Sequence, residues 1–199
     1  MRTKNIDIDF KSFFSKGVKQ VYEPFGCFLV NGYMGSGKTY FCVKFANDFK
    51  SSYKIKTNIH SLNIPNANIE FFTNLEEILK DTEEFCLYII DELGKKYTKD
   101  SKQDQNFYNW LQHSRKTKRI VLLIHQEYLL VPQWLRGTCR EVFTTSKIKF
   151  LPIFCTYRGN AYLNEETKSW EVDYSFRYFY KRTKEISSYY DTFECVSAL

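Results

Sequence analysis

The stretch that decides the fold is Gly32-Tyr33-Met34-Gly35-Ser36-Gly37-Lys38-Thr39, which fits the pattern G-x-x-x-x-G-K-[ST]. It stands between an apolar run, residues 25–31, and a segment with helical periodicity. The glycines let the backbone curve so that several N–H groups point toward a phosphate chain, and Lys38 can reach the β and γ oxygens. The stretch therefore predicts a nucleoside triphosphate site with contacts from Gly32, Tyr33, Met34, Gly35, Ser36, Gly37, Lys38, Thr39 and Tyr40.

The bulk composition favours one intracellular domain. The chain has 199 residues, 43% of them hydrophobic, which suffices for one substantial core and is short for two. Its net charge of +6 is compatible with a polyanionic partner and equally with an ordinary solvated surface. Six scattered cysteines lack metal-ligand spacing and indicate buried thiols in a reducing compartment. We expect no signal peptide and no transmembrane segment, because no apolar stretch is long enough.

Continuous apolar runs predict strands that are buried on both faces, at residues 25–31, 85–90 and 120–124. Helical patterns alternate with them, at residues 37–49, 73–80 and 105–115. Such alternation implies right-handed crossovers in a parallel sheet whose ligands collect beyond the strand carboxyl ends. Residues 53–59 alternate like a further strand with one solvated face. The prediction is an α/β fold with a mostly parallel sheet flanked by helices.

Two carboxylates, Asp91 and Glu92, follow the second buried strand directly. Asp91 would hold Mg²⁺ opposite the Thr39 hydroxyl, and Glu92 would orient and deprotonate the attacking water. An acidic pair at a solvated strand end is the simpler reading, but the phosphate loop makes catalysis the better one. We predict ATP rather than GTP as the nucleotide, because no N-K-x-D sequence for guanine recognition is present.

Polar and basic residues near the third buried strand supply further candidates. His125 and Gln126 end that strand, where Gln126 can sense the γ-phosphate or position water, or both can merely cap the strand. Arg115 precedes the strand and Arg136 follows it. Either arginine can act on the γ-phosphate of a neighbouring subunit or contact DNA phosphates, or belong to a solvated face. Lys38, Glu92, Gln126, Arg115 and Arg136 are thus the predicted catalytic set.

The carboxyl-terminal part differs in character. Residues 147–157 and 169–178 alternate and flank Arg158-Gly159-Asn160, which predicts an antiparallel β meander with its turn there. No internal repeat and no linker suggests a second domain. We divide the single domain, residues 1–199, into an N-terminal arm (1–22), an ATPase core (23–148) and a C-terminal β extension and tail (149–199).

The order of these pieces resembles FtsK-HerA-type ATPases. Five stretches carry the likeness: Lys38-Thr39, Ile55-Lys56-Thr57-Asn58-Ile59, Ile89-Ile90-Asp91-Glu92, Ser114-Arg115-Lys116 before a strand that ends in Gln126, and Val131-Pro132-Gln133-Trp134-Leu135-Arg136. The chain is similar to viral genome-packaging ATPases and to zonula occludens toxin-like morphogenesis proteins of filamentous phages. The resemblance implies a RecA-like sheet, a homo-oligomeric ring that is often hexameric, ATP-driven movement of DNA, and an arginine finger between subunits.

These expectations combine into one hypothesis and its rivals. The chain would be a Mg²⁺-dependent ATPase motor that moves or packages viral double-stranded DNA, in the host cytoplasm or on the virion. The absence of a transmembrane segment and a further domain favours packaging over the toxin-like role, as does Leu93-Gly94 after the acidic pair. The first rival is a morphogenesis factor that acts on capsid or virion membrane proteins without gripping DNA. The second, a small-molecule kinase, lacks an acceptor-binding lid.

Overall fold

The computed structural model of this protein describes residues 25–148 and 150–191, and within them it places eight strands in one sheet. The strand order is β3-β2-β4-β5-β1-β6-β7-β8. Strands β3 to β6 in that order run parallel, and the last two pairings, β6 with β7 and β7 with β8, are antiparallel. The strands are β1 (Gly26–Asn31), β2 (Lys54–Thr57), β3 (Ile69–Phe71), β4 (Cys86–Ile90), β5 (Ile120–His125), β6 (Glu141–Lys147), β7 (Ile153–Asn164) and β8 (Ser169–Lys181).

Helices cover both faces of this sheet. They are α1 (Lys38–Phe49), α2 (Leu75–Leu79), α3 (Gln105–His113), α4 (Gln133–Thr138) and α5 (Lys184–Ser187), with 3₁₀ turns at Leu93–Lys95 and Tyr128–Leu130. One apolar core lies between the sheet and the α1 side, and a second lies between the sheet and α2, α3 and α4. No helix among residues 25–148 and 150–191 is long and apolar enough to cross a bilayer. The predicted α/β fold, with a mostly parallel sheet and antiparallel C-terminal strands, is confirmed.

Side-chain caps explain where two of the helices begin. Asn74 accepts a hydrogen bond from the Glu77 backbone N–H at 3.1 Å and starts α2. Asp104 accepts from the Phe107 N–H at 3.1 Å and starts α3. The apolar positions of α3, Phe107, Trp110 and Leu111, face the core. The helices thus lie with their apolar sides against the sheet. This packing holds in place the strands whose ends carry the site.

The prediction that β2 has one solvated face is wrong, because Lys56, which the alternation puts on that face, is buried. The Lys56 ammonium pairs with Asp81, and with Glu83 at 2.8 Å. Tyr88 donates a hydrogen bond to Asp81 at 2.6 Å. Burial alone would raise the pKa of Asp81, but the hydrogen bonds from Lys56 and Tyr88 hold it below its ordinary value. A charged residue is therefore accommodated inside the sheet by its acidic partners.

The predicted turn of the C-terminal meander is also misplaced. Arg158 and Gly159 lie inside β7 at a bulge, and the chain reverses instead at residues 165–168. Arg158 stays in the strand because its guanidinium forms two hydrogen bonds, at 2.6 and 2.8 Å, with the buried Glu141 carboxylate of β6. The strands β3 and β6 and the helices α4 and α5 were not predicted. The predicted arm, residues 1–22, lies outside the described residues.

Candidate functional site

The phosphate loop connects β1 to α1 and bends at its three glycines. Gly32, Gly35 and Gly37 have φ values of +142°, +74° and +96°, a region that favours glycine. A Cβ on Gly32 would lie 2.4 Å from the Thr145 carbonyl oxygen, and one on Gly37 would lie 2.7 Å from the Phe154 ring. Glycine is therefore required at Gly32 and Gly37 both by the backbone conformation and by the close approach of β6 and β7.

Hydrogen bonds hold the loop from both sides. The Ser36 hydroxyl lies 2.7 Å from the Thr145 hydroxyl of β6, and the Gly32 N–H donates to the Gln126 carbonyl at 3.2 Å. At the tip, the Tyr33 and Met34 side chains are exposed. The loop thus has a fixed base and an accessible tip, which suits a ligand that binds from solvent.

Lys38 points into the curve of the loop. Its ammonium donates to the backbone carbonyl oxygens of Gly32 at 2.8 Å and of Tyr33 at 3.2 Å. Burial lowers the pKa of Lys38, and the Asp91 carboxylate offsets only part of that effect. The partly buried Lys38 ammonium is therefore not fully neutralised by nearby carboxylates, so it attracts an anionic ligand. The sequence predicts that this ligand is the β- and γ-phosphates.

The structure corrects the part assigned to Tyr40. Its side chain is buried, its ring stacks on the Tyr180 ring at 6.0 Å, and its hydroxyl accepts a hydrogen bond from the Thr183 N–H at 3.0 Å. The side chain therefore ties α1 to the end of β8, and only the Tyr40 backbone is left for the predicted nucleotide contact.

Thr39 and Asp91 meet at the carboxyl edge of the sheet. The Thr39 hydroxyl donates to Asp91 Oδ2 at 3.1 Å, and the Glu92 N–H donates to Asp91 Oδ1 at 2.7 Å. Burial raises the pKa of Asp91 above its ordinary value, although these two hydrogen bonds lower it in part. Hydroxyl and carboxylate oxygens are the ligands that Mg²⁺ prefers, and a divalent cation would relieve the cost of the buried charge. The residues present therefore fit the predicted Mg²⁺ site.

Asn58 belongs to this cluster and was not among the predicted site residues. Its amide donates to the Asp91 carbonyl at 3.0 Å and accepts from the Asp91 N–H at 2.8 Å. Asn58 follows the carboxyl end of β2, the strand next to β4. The signal that could have found it is the same one that found Asp91, a polar residue directly after a buried parallel strand.

Glu92 stands in a strained backbone conformation beside Asp91. Its φ of +54° is unusual for a residue with a side chain. The carboxylate is partly exposed and pairs with the Lys95 ammonium, in the 3₁₀ turn that follows. Strain of this kind recurs where a side chain must be aimed at a ligand. Glu92 therefore lies directly beside Asp91 with a partly exposed side chain whose carboxylate is paired with Lys95.

The two candidates at the end of β5, His125 and Gln126, differ in exposure. Gln126 lies beside the phosphate loop through its backbone carbonyl, and its side chain is exposed. His125 is buried, and its Nδ1 accepts a hydrogen bond from the Glu127 N–H at 3.2 Å. Burial lowers the pKa of His125. Gln126 thus lies next to the phosphate loop and its role as a γ-phosphate sensor stays a prediction, while the His125 ring lies against Gly94.

Of the two arginines, Arg136 does not fit the predicted role in a neighbouring site. Its side chain is 3% exposed and donates to the Val131 carbonyl at 2.9 Å and to the Trp170 carbonyl at 3.3 Å. These bonds hold α4 against β8. Arg115 is exposed and follows α3, with its Cγ within 3.7 Å of a Cβ built on Gly26. It therefore lies at the amino end of β1, on the sheet edge opposite the phosphate loop.

Comparisons with known proteins agree with this fold. The N-terminal domain of zonular occludens toxin from Neisseria meningitidis superposes with a TM-score of 0.59 at 19% identity, covering 83% of this chain and 98% of that one. The genome-packaging NTPase B204 from Sulfolobus turreted icosahedral virus 2, in complex with ATP-gammaS, gives 0.52 at 12% identity, covering 75% and 96%. The RadB recombinase gives 0.53 at 14% identity, covering 80% and 88%.

At these identities the superpositions establish a RecA-like fold for this chain. None of the curated proteins matches the sequence. The sequence profile described as Zonular occludens toxin (Zot) does match, over residues 26–193, which is most of the chain. That match spans the phosphate loop, the Thr39, Asn58 and Asp91 cluster, and the antiparallel strands after β6. The chain belongs to the zonular occludens toxin (Zot) family.

Proposed function

We propose that this protein hydrolyses ATP with Mg²⁺ at the phosphate loop. The observation that carries the proposal is the 3.1 Å hydrogen bond between the Thr39 hydroxyl and Asp91, beside a loop whose lysine already lies in its curve. The loop N–H groups and Lys38 bind the phosphates, and Thr39 and Asp91 hold the cation. Bound Mg²⁺ neutralises charge on the β- and γ-phosphates. Glu92 takes the proton of the attacking water, and Gln126 positions that water.

The further part of the proposal is that ATP hydrolysis moves or packages viral double-stranded DNA. A genome-packaging NTPase with the same fold, together with the net charge of +6, supports a polyanionic partner. We place the protein in the host cytoplasm or on the virion, as a homo-oligomeric ring of six subunits and a motor of FtsK-HerA type. Arg115 is our candidate for the residue that acts on the γ-phosphate of the neighbouring subunit, because it is exposed and lies far from its own loop.

The experiment is ATP hydrolysis with and without double-stranded DNA, at low and moderate salt and over a range of protein concentrations. Glu92→Gln supplies the blank. We expect turnover to rise with DNA and with protein concentration, and the DNA effect to weaken as salt rises. Hydrolysis that ignores DNA at every concentration would remove the motor from the proposal and leave the ATPase.

A second candidate is an assembly or extrusion factor for phage morphogenesis that does not grip DNA. The β7–β8 hairpin favours it, because the hairpin exposes large apolar side chains, among them Tyr162, Leu163, Tyr174, Phe176 and Phe179. Exposed apolar patches of this kind mark protein interaction sites. For this candidate, turnover responds to a capsid or virion membrane protein and not to DNA.

A further inference from the structure

A pocket of about 330 Å³ lies beside the phosphate loop, on the side away from Asp91. Its lining includes Lys147, Phe150, Leu151, Ile153, Phe154 and Arg182. These residues come from the end of β6, the turn that follows, the start of β7 and the residue after β8. Its volume falls within the range of small-molecule sites. None of the site residues discussed above lines it, so its purpose is open.

The pocket adjoins the loop through the Phe154 ring. That ring lines the pocket and also lies against Gly37, at 2.7 Å from where a Cβ would be. On the other side, the Tyr40 hydroxyl lies 3.3 Å from the Lys181 carbonyl oxygen, next in sequence to Arg182. The pocket therefore lies directly beside the start of α1.

The strand order fixes which end of a nucleotide faces the pocket. From β1, which carries the loop, the acidic pair lies two strands away on β4, in one direction. The pocket lies two strands away on β7, in the other direction, and neighbouring strands are about 4.8 Å apart. A nucleoside triphosphate with its γ-phosphate toward Asp91 and Glu92 thus extends its ribose and base toward the pocket.

Phe150 offers a planar ring to a ligand. Its side chain is 100% exposed, and its backbone has φ +66°, a left-handed conformation that is strained for a bulky residue. Across the pocket, the Arg182 side chain is anchored by a hydrogen bond from its Nε to the Ser187 hydroxyl at 3.0 Å. An aromatic ring and a guanidinium plane are the two groups that stack on nucleobases.

The chemistry of the lining also limits selection of adenine. None of the lining residues in the described part of the chain carries a carboxamide, the group that pairs with the adenine edge, whereas Lys147 and Arg182 are of the types that pair with guanine. The turn's backbone is engaged as well, with the Leu151 N–H donating to the Ile148 carbonyl at 3.3 Å and the Arg182 N–H donating to the Pro152 carbonyl at 2.7 Å. Stacking tolerates any base, because every base has a π-face.

We propose that this pocket stacks the purine base of the bound nucleoside triphosphate, mainly on Phe150, and does not select adenine over guanine. This rests on the proposed nucleotide site, and it adds that the specificity for ATP expected from the sequence is not built into base contacts. The phosphate loop then provides most of the affinity, and the pocket adds an increment by stacking either purine.

The test measures binding of ATP, GTP and inorganic tripolyphosphate, each with Mg²⁺, by calorimetry. For the wild-type protein we expect the ATP affinity to exceed the GTP affinity by no more than about threefold. Phe150→Ala lowers both by roughly tenfold and leaves the tripolyphosphate affinity unchanged. Phe150→Trp, which keeps an aromatic ring at this position, retains the wild-type affinities for ATP and GTP. The matched control is Phe71→Ala, an exposed aromatic residue on β3 at the opposite edge of the sheet, which changes none of the three affinities.

Three results overturn the inference while the nucleotide site itself stands. They are ATP bound a hundredfold more tightly than GTP, nucleotide affinities that Phe150→Ala does not change, and a loss in Phe150→Ala that extends equally to tripolyphosphate. The second would assign the pocket to a protein contact, and the third to support of the loop. Wild-type protein that binds none of the three ligands refutes the proposed nucleotide site instead, so the two failures are distinguishable.

Discussion

Asn58 and Asp91 exchange two hydrogen bonds, in which the Asn58 amide donates to the Asp91 carbonyl at 3.0 Å and accepts from the Asp91 N–H at 2.8 Å. This pair fixes the backbone at the point where β4 ends and the acidic residues begin. Asn58 is itself 1% exposed, so its amide has no access to water as an alternative partner. The direction of the Asp91 side chain toward Thr39 therefore depends on a residue from another strand.

Replacement of Asn58 should affect turnover more than nucleotide binding. We expect Asn58→Ala to lower kcat for ATP by about a hundredfold, because a small displacement of the Asp91 and Glu92 backbone misaligns the reacting groups. It should also lower the free energy of unfolding by about 1–3 kcal/mol, since two buried backbone groups lose their partner. Steady-state kinetics and urea unfolding measure the two effects. Asn63→Ala, at an exposed position, is the matched control and should change neither.

Glu92 and Lys38 should separate hydrolysis from binding. Glu92→Gln keeps the shape of the side chain and removes the base, so we expect ATP binding to persist while kcat falls by about 10²–10⁴. Lys38→Ala removes the ammonium that lies in the loop and should weaken binding as well as turnover. The measurements are the ATP affinity and the kcat of hydrolysis for both variants. Normal hydrolysis in either variant would contradict the assignment of that residue.

Two glycines of the phosphate loop allow a matched test of how contact with the neighbouring strands affects the cost of adding a side chain. Gly35 and Gly37 both have positive φ, but a Cβ on Gly35 meets nothing within 4 Å, whereas one on Gly37 meets the Phe154 ring at 2.7 Å. Gly35→Ala should therefore cost only backbone strain, about 1–2 kcal/mol of unfolding free energy. Gly37→Ala should cost about 1–3 kcal/mol more. Equal losses in urea unfolding would show that Phe154 moves aside freely.

The buried Lys56–Asp81 pair should make stability depend on pH in the acid range. The pKa of Asp81 is held below its ordinary value, so its contribution is complete above about pH 4 and is lost as pH falls through the lowered pKa. We expect wild-type protein to lose more unfolding free energy between pH 6 and pH 3 than Asp81→Asn does. Chemical denaturation at a series of pH values measures this slope. Parallel slopes for the two proteins would contradict it.

The two arginines should give opposite phenotypes. Arg136→Ala removes a buried guanidinium that holds two carbonyls, and it should lower the unfolding free energy by about 3 kcal/mol. Arg115→Ala should leave stability unchanged and lower hydrolysis in the assembled ring. If Arg115 acts between subunits, mixing Arg115→Ala with Lys38→Ala subunits restores activity at interfaces that combine an intact loop with an intact arginine. Lys116→Ala is the control, and a mixture that stays inactive would remove Arg115 from this role.

The sequence predicts those parts of the fold that local patterns specify. The strands β1, β4 and β5 are continuous apolar runs, and the phosphate loop and acidic pair come directly after two of them, so their positions follow from strand polarity alone. Residues whose place depends on distant partners were missed. From the sequence alone Lys56 is expected to be solvated, because its partner Asp81 is distant in the chain. Arg158-Gly159 is expected to be a turn, because the sequence does not show that Glu141 holds the arginine in β7.

The same distinction applies to the candidate site. Lys38, Thr39, Asp91 and Glu92 were found because their own neighbours in sequence identify them. The residues that support them, Asn58, Thr145 and Phe154, come from three other strands or strand ends; a polar residue after a strand is a local signal for Asn58, but no local pattern marks Thr145 and Phe154. Arg136 was misread for the converse reason, since its bond to the Trp170 carbonyl forms only after α4 packs against β8.

The contacts of β6 and β7 with the phosphate loop have a mechanical consequence. The Ser36 hydroxyl is bonded to Thr145, Gly32 is closed by the Thr145 carbonyl, and Gly37 rests on the Phe154 ring. Interiors packed this closely resist compression and transmit displacement. A load applied to the β7–β8 hairpin is therefore carried by two strands into the loop itself, and a change at the phosphates returns along the same path to the hairpin.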